Sequence, residues 1–204
     1  MKLAMKLRTH LPATLLVILF GVVATGCSRP AAHSPYHAAD ISGVLPALRF
    51  HLLGPGGVPI TEQFVHGRTT VLYFGYTHCP DECPTTLARL SAALHALGPA
   101  AEQVRVLFVS VDPQRDTPAL LAQYAHYFAP QVIGATGTDA QLTSLTKRYR
   151  VAYRRDAPDA RGNYAVYHSS AVFVFDAEGR ARLLVSDTET PAQVAEDLST
   201  LSAG

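Results

Sequence analysis

The run Tyr73-Phe74-Gly75-Tyr76-Thr77-His78-Cys79-Pro80-Asp81-Glu82-Cys83-Pro84 places two cysteines with three residues between them. Thiols so close either cycle between dithiol and disulfide or hold a metal ion. Pro84 reads as the first residue of a helix, which sets Cys83 at or beside the N-terminus. Unpaired N–H groups and the positive end of the helix dipole favour thiolate there, the form that attacks disulfides and binds metals. A thioredoxin-type redox motif has two residues between its cysteines. Three, one of them Pro80, let both sulfurs face a common point, which suits a soft ion of low coordination number such as Cu(I). Two thiolates alone leave Cu(II), or a stable three-coordinate site, short of a donor.

The elements that must position such a site are legible around it. Continuous apolar runs at 71–74, 104–111 and 171–175 suit strands covered on both faces. Leu48, Phe50 and Leu52 alternate ahead of the turn signal Gly54 to Gly57, predicting a hairpin at the start of the fold. Leu87, Leu90, Leu94 and Leu97 share one helical face, as do Leu120, Leu121, Tyr124 and Phe128; two more helices are expected at 142–149 and 194–201. Cys83-Pro84, Thr117-Pro118 and Thr190-Pro191 each read as a capping residue followed by proline at the first helical position. A β-α-β-α order ending in two strands and a helix is what a thioredoxin-like α/β fold requires: a central mixed sheet flanked by helices, here with an N-terminal hairpin extension.

In that fold the start of the strand at 171–175 lies beside the redox loop, and a cis-proline usually occupies it. Here Tyr167-His168-Ser169-Ser170 offers an imidazole instead, so His168 is the best-placed third donor. His78 looks like a ligand by position, but consecutive side chains diverge, and it reads as a loop residue tuning the thiol. Asp81 and Glu82 add negative charge to the loop and read as facing water. A closed structural zinc site wants four donors, and the sequence has neither a second cysteine pair nor a spaced histidine pair. A peroxidatic cysteine would need Thr and Arg partners that are not arranged around Cys79.

The first 26 residues read as a separate object. Lys2, Lys6 and Arg8 precede an apolar stretch that closes on Ala24-Thr25-Gly26-Cys27, a secretory signal ending in a sequence that resembles a bacterial lipobox. Cys27 is then the lipidated first residue of the mature chain, which leaves Cys79 and Cys83 as its remaining thiols. Residues 27–44 read as a membrane-proximal spacer and 45–204 as the folded domain. Removing 1–26 moves the formal charge from +1 to −2, and no block of like charge points to nucleic acid. The expected location is the cell membrane, lipid-anchored and facing the periplasm.

The Cys-Pro-Asp-x-Cys-Pro segment resembles the SCO/SenC family of copper proteins. Val109-Ser110-Val111-Asp112-Pro113 with Arg115-Asp116-Thr117-Pro118 resembles that family's second motif, and Tyr164 with His168-Ser169 its histidine motif. The resemblance runs from about Ile41 to the C-terminus, with the motifs in order. It implies a metallochaperone that delivers copper to the dinuclear copper centre in subunit II of cytochrome c oxidase, or a thiol-disulfide oxidoreductase that reduces that centre's cysteines beforehand. By the same resemblance one Cu(I) or Cu(II) ion is held by Cys79, Cys83 and His168, with Asp112 in support, and other periplasmic copper chaperones or thiol reductants are further partners. Glu82 and Tyr167 depart from residues common at their positions without removing a ligand.

Overall fold

The computed structural model describes residues 34–202. The stretch read as a signal, Cys27 read as its lipidation site, and the first part of the stretch read as a spacer lie outside the described residues. The chain builds a six-stranded mixed sheet in the order β1-β10-β9-β4-β5-β6, with four helices, α1 (Glu82–Leu97), α2 (Pro118–Phe128), α3 (Asp139–Arg148) and α4 (Pro191–Ser202). β4 (Thr69–Gly75), β5 (Val104–Ser110) and β6 (Val132–Ala135) run parallel, while β9 (Val172–Phe175) returns antiparallel to β4. β10 (Ala181–Val185) pairs with β9, and β1 (Ala39–Asp40) closes the edge against β10. A hairpin of β2 (His51–Leu53) and β3 (Pro59–Thr61) bridges to Thr136, and β7 (Tyr153–Arg155) pairs with β8 (Val166–His168) in a second small sheet. Among the described residues no helix is long and apolar enough to cross a membrane.

All seven residues of β4 are buried, and β5 is buried except at Arg105, which is why these strands read as unbroken apolar runs. α1 packs beside α4, and α2 lies on β6 so closely that a Cβ on Gly134 would stand 2.5 Å from the Leu121 carbonyl oxygen. Thr117 caps α2 by accepting from the Leu120 amide, as its sequence promised, and Thr138 with Gln141 forms a capping box on α3. α1 differs from expectation. It begins at Glu82 with Asp81 as its cap residue, so Cys83 and Pro84 lie inside the first turn. Proline is tolerated there because the first-turn amides have no intrahelical acceptor.

The sheet also begins earlier than Leu45. β1 falls within the stretch read as spacer, and the buried carboxylate of Asp197 on α4 accepts the amides of His37 and Ala38, both at 2.8 Å. What positions a site is the register. Gly75 pairs with Ser110 and Tyr73 with Val172, so the carboxyl ends of β4 and β5 and the amino end of β9 share one edge of the sheet. The loops after β4, after β5 and after β8 therefore converge there.

Candidate metal centre

At that edge Cys79, Cys83 and His168 come together, their donor atoms all within 4.8 Å of one another. Among the described residues they form the one such group of three or more Cys, His, Asp or Glu side chains. The Cys83 sulfur is 3.2 Å from Nε2 of His168, and the Cys83 amide donates to the Cys79 sulfur at 3.4 Å. Cys83 is fully buried, whereas Cys79 and His168 are partly exposed, and both thiols are free. The Nδ1 edge of His168 lies 3.0 Å from the Ser169 carbonyl oxygen, an acceptor only, so Nδ1 carries the proton and Nε2 presents a lone pair toward the sulfurs. Edge-on contacts with Tyr73 and Tyr76, centroids 6.2 and 5.9 Å away, fix the ring plane.

The electrostatics of Cys83 reverse the expectation of a stabilised thiolate. Burial pushes its thiol up from 9.0 to about 12, against a hydrogen bond with the Tyr76 backbone that works the other way, and the nearby Cys79 raises it further. The helix-start amide is directed at the Cys79 sulfur instead. The dipole of one helix is worth a fraction of what full desolvation of an anion costs, so burial wins at Cys83. Burial and the two thiols likewise lift the Tyr76 phenol to about 12.

Asp112 does not join the donor group. It is fully buried, accepts from the Tyr164 hydroxyl at 2.5 Å and is ion-paired with Arg115 Nε. The Arg115 guanidinium lies 3.8 Å over the Tyr164 ring and donates to the Tyr164 carbonyl at 3.2 Å. The same guanidinium lies 5.8 Å from the centroid of the Tyr76 ring. Asp112 thus ties the loop after β5 to the segment leading into β8, which carries His168. His78 is exposed and turned toward Asp116, with Nδ1 3.6 Å from Oδ1, away from the donor group.

Sequence reading gave no separate role to Asp116, Gly75 or Tyr73. Asp116 is fully buried and accepts from the Thr77 amide at 2.8 Å, the Thr77 hydroxyl at 2.6 Å and Ser110 Oγ at 2.5 Å, pinning the start of the cysteine loop to the end of β5. An aspartate two residues before Pro118 carried no signal beyond its motif, because two of its three bonds go to Thr77 on another loop.

Two sulfurs and an oriented imidazole form a soft, low-coordinate donor set, and a fourth donor of the kind structural zinc requires is missing from the group. Fold and site together define a thioredoxin-like domain whose dithiol loop faces an imidazole where disulfide exchangers of that fold place a proline. The chain matches the SCO1/SenC family over residues 44–203 and belongs to it. It is 34% identical over 132 residues to an SCO2-like protein of Rickettsia felis, covering 64% of each chain. It is 40% identical over 134 residues to the mitochondrial protein SCO2 of Saccharomyces cerevisiae, covering 64% of this chain and 44% of that one. The matched stretch therefore spans less than two thirds of the length of these curated relatives. Among solved structures, Bradyrhizobium japonicum ScoI with copper bound is 35% identical, with a TM-score of 0.70 over 76% of this chain and 98% of that one. Yeast Sco1 with copper bound is 30% identical, also at 0.70, over 76% and 88%.

Proposed function

We propose that this protein is a copper carrier that binds one Cu(I) or Cu(II) ion through Cys79, Cys83 and His168 and passes it by ligand exchange to the apo dinuclear copper centre in subunit II of cytochrome c oxidase. The observation that carries the reading is the convergence of two sulfurs and the Nε2 lone pair within 4.8 Å at the edge of the sheet. Relatives at 35% and 30% identity whose structures hold copper support the choice of metal. Copper is cargo here. Cys79 and His168, both partly exposed, are the donors an acceptor reaches first, and buried Cys83 is the last to let go. Tethering by a lipid on Cys27, facing the periplasm, would hold the carrier beside its membrane-bound acceptor, and mass spectrometry of the N-terminal peptide tests it.

The deciding experiment is copper titration of the full-length chain in detergent, wild type beside His168→Ala. One equivalent of Cu(II) should give a thiolate-to-copper charge-transfer band in the wild type, and the variant should lose it along with about tenfold or more in affinity. Equal affinity in a competition titration would refute the assignment of His168.

A second reading is favoured by the unequal exposure of the two free thiols. Cys79 is the accessible sulfur that would attack a partner disulfide, and Cys83, whose amide touches it, is the buried one that would resolve the mixed disulfide. The partner gains two electrons and two protons as Cys79 and Cys83 become a disulfide. Full function of a Cys79→Ser variant in oxidase maturation would exclude it.

A further inference from the structure

Tyr73 sits in the middle of the buried sheet on β4, with none of its surface exposed, and its ring lies against both Phe108 and His168. Its hydroxyl is buried and closes no hydrogen bond to any partner. The neighbours it faces are Cys83 and Thr86. A phenol in a fully dry position ordinarily finds an acceptor, because an unmade hydrogen bond leaves its desolvation cost uncompensated. A neutral thiol is a weak acceptor, whereas a thiolate, free or bound to a metal, is a strong one. The orphaned donor thus has in Cys83 a neighbour that becomes a strong acceptor when it ligates a metal.

We propose that the Tyr73 hydroxyl is the hydrogen-bond donor to the Cys83 sulfur when that sulfur is bound to copper, and that it tunes the site's hold on Cu(II). This rests on the copper reading above. Donors to a metal-bound sulfur alter ligand strength and potential in other thiolate centres. By stabilising the sulfur lone pairs, the hydroxyl raises the energy of the sulfur-to-Cu(II) charge transfer. It also makes Tyr73 a positioning residue, since it touches the ligand and not the ion.

Tyr73→Phe removes one oxygen and keeps the ring that packs on Phe108 and His168. A residue holding the apo fold together would lower the melting temperature of the metal-free chain when changed. Loss of an orphaned hydroxyl leaves that temperature equal or raises it. With Cu(II) added to the full-length protein, the variant should bind about tenfold more weakly, and its charge-transfer band should move to longer wavelength. A lower metal-free melting temperature with unaltered copper affinity and band position would overturn the proposal in favour of a packing role. A wild-type band reproduced unchanged by the variant would overturn it alone, whereas no band in the wild type would take the copper reading down with it.

Discussion

The Cβ that Gly75 lacks would stand 2.9 Å from the Cys83 sulfur and 2.6 Å from Cε2 of Phe108. The last residue of β4 is therefore the gap into which the first turn of α1 lowers its buried thiol. Gly75→Ala would overpack this point, and neither neighbour has free space, since Cys83 and Phe108 are both fully buried. We expect a loss of about 1–3 kcal/mol in urea unfolding of the metal-free protein. We also expect weakened copper binding, because the displaced sulfur is the one 3.2 Å from His168 Nε2. Wild-type copper affinity in this variant would show that the close approach is incidental to the site.

The raised thiol of Cys83 makes stability depend on pH in a definite direction. A group that holds its proton more tightly when folded stabilises the native state below its unfolded pKa and loses that contribution as pH rises through the folded one. For Cys83 the window opens near 9 and extends to about 12. Across it the reduced, metal-free protein should lose up to about 1.4 kcal/mol per pH unit on account of this residue. Buried tyrosines, Tyr149 and Tyr73 among them, are also raised by burial and add their own slope. Cys83→Ser isolates the thiol. Chemical denaturation at pH 8 and pH 10.5 should show a shallower loss in the variant, and parallel losses would remove the buried thiol as the cause.

How far the sequence carries depends on whether a residue's partners are local. β4, β5 and β9 were legible because strands buried on both faces leave unbroken apolar runs, and α2 because Thr117-Pro118 is a self-contained cap. β7 and β8 were not, since three-residue strands rich in arginine and tyrosine carry no period. The two cysteines and His168 could be named from motif and topology. The orphaned hydroxyl of Tyr73, the threefold grip of Asp116 and the gap at Gly75 could not, because each depends on how separate elements pack against one another and on no local pattern. The same reason explains the thiolate reversal at Cys83: a helix start can be read locally, while complete burial depends on everything packed around it.

Asp112 is joined through Arg115 and Tyr164 to the segment leading into His168, so its loss should be felt as misplacement and not as a missing ligand. Asp112→Asn keeps the shape and an acceptor for the Tyr164 hydroxyl but strips Arg115 of its counter-charge. Arg115 is partly exposed, which softens the cost to about 1–3 kcal/mol. Adding Arg115→Gln should recover part of that loss, as expected for a coupled pair. X-ray absorption on the copper-loaded single variant should still report two sulfurs and one imidazole nitrogen. Disappearance of an oxygen neighbour relative to wild type would make Asp112 a ligand after all.

Asp197 makes the last prediction, which concerns where the folded domain begins. Its carboxylate, 2% exposed, holds the amides of His37 and Ala38 immediately before β1, and His37 Nε2 adds a contact of 2.7 Å with Glu196. Two charge-assisted hydrogen bonds in a buried position fix the first strand to α4 on the far side of β10 from the rest of the sheet. Asp197→Ala leaves both amides without an acceptor and should cost about 2–3 kcal/mol. The loss should be local, with faster hydrogen exchange at residues 37–40 and protease cleavage near Tyr36, while copper affinity stays at the wild-type value. Protection retained at those amides would mean that β1 is held by its pairing with Leu183 and Leu184 alone. If instead copper affinity fell with exchange, the β1 edge would be coupled to the metal centre across β10 and β9.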